Sequence, residues 1–151
     1  MKDMMELCDR IRQISYDIHI YHGHRHLEKV YENALAHRLK KAGIEVKQQF
    51  PMTVYDEDGT VLGEYKADLI VENRLLVELK ACRTIIEEHT AQTLGYLKSA
   101  RIEHGLLINF GSSKFEIKKY ILSQDVPRAG SGPRWSNIAS SLFAFFASFC
   151  G

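Results

Sequence analysis

Between residues 65 and 81 the chain carries an aspartate, Asp68, a glutamate, Glu78, and two positions later a lysine, Lys80. They flank two short apolar runs, Leu69-Ile70-Val71 and Leu75-Leu76-Val77, which are separated by Glu72-Asn73-Arg74. Residues two apart in a strand project to the same face, so Glu78 and Lys80 point together. If residues 65–71 pair antiparallel with 75–81, Asp68 lies across from Glu78 or its neighbours, where two carboxylates can share one divalent cation. A hard cation such as magnesium takes oxygen ligands and keeps several waters. Such a site holds a phosphate oxygen and an attacking water together, while Lys80 orients that water or stabilises charge. The chemistry is hydrolysis of a phosphodiester. The same residue types also stand idle on the solvated face of many antiparallel hairpins. Here the two apolar runs read as buried on both faces, and an acid or lysine at the end of a buried strand costs free energy unless it is paired or liganded. That setting favours a functional reading.

The elements that must position these residues are legible from periodicity. Met4, Leu7, Cys8, Ile11, Ile14, Ile18 and Tyr21 recur three and four apart and predict a first amphipathic helix over 4–21. Leu27, Val30, Tyr31, Ala34, Leu35 and Leu39 predict a second, over 27–41, closed by Gly43 and with Glu28 flanking its apolar stripe. A glutamate in a first turn is also an ordinary solvated residue favoured by the helix dipole. Residues 46–55 and 61–63 read as strands joined by Asp56-Glu57-Asp58-Gly59, where Asp-Gly signals a hairpin. After the Asp68 and Glu78 strands comes a helix over 87–99. On it His89, Gln92 and Tyr96 fall at i, i+3 and i+7, opposite Leu94 and Leu97. A buried strand over 105–110 and a last strand over 115–122 complete a mixed sheet with helices against it. Gly111-Ser112-Ser113-Lys114 lacks the second glycine and the following helix of a phosphate loop and reads as a turn.

With these residues placed, the chain resembles the PD-(D/E)XK nuclease superfamily, and in particular its small GxxExxY branch, related to RecB-type nucleases. The resemblance runs over about residues 18–122. It rests on ordered blocks: Leu27-Glu28-Lys29-Val30-Tyr31-Glu32-Asn33-Ala34-Leu35, Tyr65 to Val71, Val77-Glu78-Leu79-Lys80-Ala81, His89 to Leu97, and Gly105-Leu106-Leu107-Ile108-Asn109-Phe110. It implies a restriction-endonuclease-like α/β fold, a mixed β-sheet flanked by helices. It also implies that Asp68 and Glu78 bind a magnesium or manganese ion, that the Leu79 carbonyl adds a ligand, that Glu28 completes the metal site, and that Lys80 is the catalytic lysine. Gln92 and Tyr96 match the glutamine and tyrosine that in RecB-like relatives support the metal site and the nucleic-acid strand. One position departs from the pattern. Three residues before the glutamate, where the branch has glycine, this chain has Arg25. Glycine allows backbone shapes denied to other residues, so the loop entering the Glu28 helix is expected to differ.

Composition bounds the partners. A chain of 151 residues, 45% hydrophobic and with a formal net charge of +1, can bury a core and is not a strongly basic binder. Near neutrality argues against tight non-specific binding of duplex through many phosphate contacts. Local basic residues, Lys66, Arg83, Lys98, Arg101, Lys114, Lys118 and Lys119, either line a groove or are solvated. Cys8, Cys82 and Cys150 are odd in number and widely spaced, which fits reduced thiols and a cytoplasmic location. His19, His22, His24 and His26 crowd the junction of the first two helices, but spacings of three and two in a loop do not define a tetrahedral metal site.

The domain is expected over 1–126 and a Pro/Gly linker over 127–133. Over 134–151 an apolar helix or tail is expected, without a charge beyond Arg134 and with Ile138, Leu142, Phe145, Phe146 and Phe149 at helical spacing. This last stretch is too short to span a membrane. Docking on its own domain or on a second copy, as a homodimer, is the expectation, with disorder the next alternative. The sequence therefore reads as a metal-dependent nuclease hydrolysing nucleic-acid phosphodiesters, with DNA preferred to RNA as substrate. The rival readings are a catalytically weak nucleic-acid- or protein-binding module that keeps the fold, and a structural partner that associates through its apolar tail.

Overall fold

A computed structural model describes residues 3–123 and the backbone of 147–148. The chain runs through α1 (Met4–His22), α2 (Glu28–Lys41), β1 (Val46–Tyr55), β2 (Val61–Val71), β3 (Leu75–Lys80), α3 (Glu87–Ala100), β4 (His104–Asn109) and β5 (Glu116–Ile121). The strands lie side by side in sequence order. All neighbours are antiparallel except β3 and β4, which are parallel and joined by the α3 crossover. A two-residue strand, β6 (Ala147–Ser148), pairs with β5. The remainder of the apolar tail expected over 134–151, like the linker before it, lies outside the described residues.

The sheet is covered on both faces. On one face α1 and α2 pack Leu7, Ile11, Ile18, Tyr31, Leu35 and Leu39 against Leu69, Val71, Leu75, Val77 and Leu79. On the other, Leu97 of α3 joins Met52, Ala67, Ile70, Leu76, Leu107 and Tyr120. The two runs flanking the β2–β3 turn are thus buried on both faces, as their unbroken apolar character predicts. The turn itself holds Glu72 and Asn73 at φ 51° and 55°, the left-handed pair that a primed hairpin turn requires. Gly43, at φ 72°, ends α2 in the left-handed conformation common just past a helix.

Two expectations are corrected. Leu27 and Val30 are exposed, at 79% and 40%, rather than in the buried stripe of the second helix. Leu27 stands outside the helix as its N-cap residue, and the buried face is completed by Glu32 and Ala36 instead. The strands expected separately over 61–63 and 65–71 are one eleven-residue strand. Its partner β1 is ten residues long, and pairing of Val54 with Gly63 and of Met52 with Tyr65 carries the ladder across the supposed gap.

That long hairpin changes face part-way. Leu69 and Val71 pack on the α1/α2 side, and strict alternation puts Ala67 there too, yet Ala67 packs on the α3 side. The same exchange separates Val46 from Met52 on β1. The break falls where Gln49 faces Asp68: the ladder pairs Gln48 with Leu69 and Phe50 with Ala67 but skips the pair between them. Gln49 sits there at φ 50°, a left-handed conformation costly for a residue with a Cβ. The twist turns Asp68 out of the regular pleat at the end of the buried segment.

Beyond β4 the chain turns back tightly against β3. A Cβ on Gly111 would stand 2.3 Å from the backbone of both Ala81 and Cys82, so only glycine fits. Gly111→Ala is expected to destabilise the domain by about 1–3 kcal/mol, the usual cost of overpacking; urea denaturation monitored by circular dichroism measures it, and an unchanged midpoint would contradict the packing.

Candidate active site

The last residues of β3 carry the candidate chemistry. Leu76, Glu78 and Lys80 alternate onto the face covered by α3, while Leu75, Val77 and Leu79 face α1 and α2. Glu78 is 3% exposed. The hairpin register brings Asp68 beside it, with the Asp68 amide donating to Glu78 Oε1 at 3.0 Å and the Leu79 amide donating to Asp68 Oδ2 at 2.9 Å. The two carboxylates are therefore neighbours, each braced by a backbone N–H of the opposite strand.

Burial drives their electrostatics. Glu78 is pushed up to about 8, first by desolvation and then by the Asp68 charge, against the pull of the Asp68 amide and Lys80. Asp68 is also raised, chiefly by burial, with Glu32 adding and the Leu79 amide opposing. Glu28, in the first turn of α2, joins the same field. Its carboxyl is raised by burial and by Asp68, against Lys80 and the Ala81 amide. Asp68 and Lys80 thus lie within electrostatic reach of both Glu28 and Glu78 at the end of β3.

Lys80 Nζ donates to Gln92 Oε1 at 2.9 Å, and Gln92 Nε2 donates to the Tyr96 hydroxyl at 3.1 Å. The i, i+4 spacing of Gln92 and Tyr96 on α3 makes that second bond possible. His89, expected on the same polar face, turns back to accept from the Ile86 amide at 3.3 Å and closes the helix N-terminus.

Two positions carry no role in the sequence reading and yet shape the site. Glu32, one turn after Glu28, is 3% exposed. Its carboxylate takes Lys29 at 2.8 Å, Gln48 at 3.0 Å and Gln49 at 2.9 Å, and Gln49 reaches on to Asp68 Oδ1 at 3.5 Å. Asn109, fully buried and paired in register with Lys80, fixes the turn after β3: its Oδ1 accepts from the amides of Cys82 and Gly111 at 3.1 and 3.0 Å, and its Nδ2 donates to the Cys82 carbonyl at 2.9 Å. A glutamate four residues from Glu28 and an asparagine ending an apolar strand were the available signals.

The other sequence candidates lie elsewhere. His19 is buried, with Nε2 2.7 Å from the Ser112 carbonyl and its ring against Phe115, tying α1 to the turn after β4. Lys119 is buried against Met5, so it belongs to no groove. Lys98 and Arg101 line a hollow beside Gln92 and Tyr96.

Among the described residues no three His, Cys, Asp or Glu side chains converge as a preformed metal cage. The donor set nevertheless suits a hard cation. Magnesium is commonly held by one or two carboxylates, with water and substrate phosphate filling the other positions. Buried Glu78 and half-buried Asp68 stay raised despite the Lys80 ammonium, and each keeps lone pairs beyond those taken by the backbone amides.

A mixed sheet with this strand order, helices on both faces and an acidic end to its central strand defines a restriction-endonuclease-like α/β domain. The family model of the PD-(D/E)XK nuclease superfamily matches residues 5–120, and the chain belongs to that superfamily. Among solved structures it is similar to one titled "Crystal structure of SSO0001", with a TM-score of 0.50 and 18% sequence identity, over 60% of this chain. The chain spans 48% of that structure's length, and the likeness concerns the fold alone. The curated proteins contain no match. No helix among the described residues is long and apolar enough to cross a membrane.

The raised carboxyls predict a pH dependence for the metal-free protein. From about pH 4.5 to about 8 the folded state holds a Glu78 proton that the unfolded chain has released, so stability falls as pH rises through that window and levels off above it. Asp68, also raised, acts in the same direction. In EDTA the wild-type Tm should therefore drop between pH 5 and pH 8 more steeply than that of Glu78→Gln, and the variant should be the more stable of the two at pH 8. Parallel Tm profiles would show that Glu78 does not titrate in this way.

Proposed function

We propose that the protein is a magnesium- or manganese-dependent nuclease of the GxxExxY branch, hydrolysing phosphodiester bonds of nucleic acid, with DNA as the preferred substrate. The observation that carries this reading is the pairing of half-buried Asp68 with buried Glu78 beside Lys80. Superfamily membership supports the reaction class.

Asp68 and Glu78 would hold the cation, with the Leu79 carbonyl as a further ligand and Glu28 closing the site from α2. The bound cation supplies Lewis-acid polarisation of the scissile phosphate and a lowered pKa for the attacking water. The chain's own residues do the rest. The amides of Leu79 and Asp68 fix the two carboxylates by one oxygen each and leave the remaining lone pairs for ligation. Lys80 brings an ammonium group to the same face as Glu78, where it orients the water or offsets the negative charge that develops on phosphate. Gln92 holds that ammonium by its carbonyl oxygen, and its own amide is anchored on Tyr96. Asn109 keeps the end of β3 from shifting as substrate binds.

Arg25 stands in place of the branch glycine, yet the loop it belongs to is well tied. Tyr31 donates its hydroxyl to the Gly23 carbonyl at 2.6 Å and accepts from the His26 amide at 3.2 Å. Gly23, two residues before Arg25, supplies a positive φ of 71°. The departure therefore leaves Glu28 at the start of its helix.

The test is cleavage of linear, circular and single-stranded DNA and of RNA with magnesium, manganese or EDTA, beside Lys80→Ala and Asp68→Ala. Metal-dependent cutting is expected, falling by about 10²–10³-fold or more in either variant, as removal of a group stabilising transition-state charge does. Absence of cutting in every condition would overturn the enzyme reading in favour of a binding module that keeps the nuclease fold.

A further inference from the structure

The α3 face of the β1–β2 hairpin carries a hollow of about 790 Å³ that the hydrolytic residues only border. Tyr55, Tyr65, Gln92, Tyr96, Lys98 and Arg101 are among its walls. Tyr65 and Tyr55 are 46% and 61% exposed, a large aromatic surface to leave in water. The Tyr65 ring meets that of Tyr96 at 5.4 Å and 42°, so the two tilted rings form one continuous aromatic wall. Tyr65 owes its place to the face change at Gln49 and Asp68, which turns it toward α3 together with Ala67.

The hollow is continuous with the site. Gln92 and Tyr96 line it, and the same two residues run by hydrogen bonds to Lys80. Its cations sit on α3 and at its end. Arg101 occupies the left-handed C-cap of that helix, at φ 54° and ψ 38°, a conformation for which glycine is the usual choice. The position thus keeps a guanidinium at the cost of a strained backbone. Asp56 is the acid among its walls.

We propose that this hollow binds the unpaired strand of the substrate, its bases stacking on Tyr65 and Tyr96 and its phosphates facing Lys98 and Arg101, so that the nuclease acts on single-stranded or splayed nucleic acid. This rests on the nuclease reading and narrows its substrate. Exposed ring faces serve unpaired bases, since a duplex offers its bases only at its ends. Stacking also needs few phosphate contacts, which suits a chain of net charge +1 better than non-specific duplex binding does.

The test separates binding from cleavage. In EDTA, fluorescence anisotropy of the full chain with a labelled single-stranded oligonucleotide and with the same sequence as duplex should show tighter binding of the single strand. Tyr65→Ala and Arg101→Gly should each weaken the single strand, Tyr65→Ala by about 5- to 100-fold, the range for loss of one stacked base. Tm should hold in both, because Tyr65 is half exposed and glycine suits the backbone at 101. Equal or tighter binding of duplex, or unchanged affinity in both variants, would overturn the proposal. So would concentration-dependent self-association lost in Tyr65→Ala with strand binding intact, which would make the hollow a protein contact. Strand binding without cutting in any metal would instead refute the enzyme and leave the hollow's role standing.

Discussion

Two carboxylates meet side by side from neighbouring strands that are covered on both faces, and the architecture around them either holds them together or offsets their charge. Burial is the largest cause in both; the Asp68 charge raises Glu78 further, and the Glu32 charge raises Asp68. Left without compensation, the pair would be a liability to folding. Backbone amides from the facing strands take one oxygen of each, but amides carry no net charge. On the proposed function, a divalent cation would supply the further positive charge, and a destabilising arrangement would then be compatible with a functional one.

Around the pair, each supporting element solves a geometric problem. Antiparallel pairing of β2 with β3 sets the register that makes Asp68 and Glu78 neighbours, and the turn at Glu72 and Asn73 fixes it. Parallel pairing of β3 with β4 requires a crossover, and the crossover is α3, which brings Gln92 over Lys80. Gly111 and Asn109 then close the backbone against the end of β3. The Gln49 irregularity switches the hairpin from one face of the sheet to the other, freeing Asp68 from the pleat and delivering Tyr65 to the α3 side. Strain at φ 50° is thus located where the site begins.

Much of this was legible in the sequence because it is local. Unbroken apolar runs on both sides of a three-residue turn announced β2 and β3 as buried, and period-two alternation put Glu78 and Lys80 on one face. The i, i+4 spacing of Gln92 and Tyr96 gave the α3 pair. What escaped notice depends on partners distant in sequence. Glu32 reads as an ordinary polar residue in mid-helix, and its burial is intelligible only once Gln48 and Gln49 arrive 16 and 17 residues later. Leu27 and Val30 continue an apolar stripe by spacing, but the helix rotates to bury Glu32 and Ala36 instead. No glycine marks the left-handed turn at Gln49, and the strand read as ending at Gly63 and starting again at Tyr65 is kept whole by the β1 ladder.

The central claim is that the Asp68–Glu78 pair is held ready for a divalent cation. Calorimetric titration of the full chain with manganese at pH 7 in two buffers of different ionisation enthalpy tests it most directly. The account predicts one site per chain, with proton release on binding as the raised Glu78 carboxyl ionises, and loss of both signals in Asp68→Asn. Binding unchanged by that substitution, or no manganese binding at millimolar concentration, would contradict it.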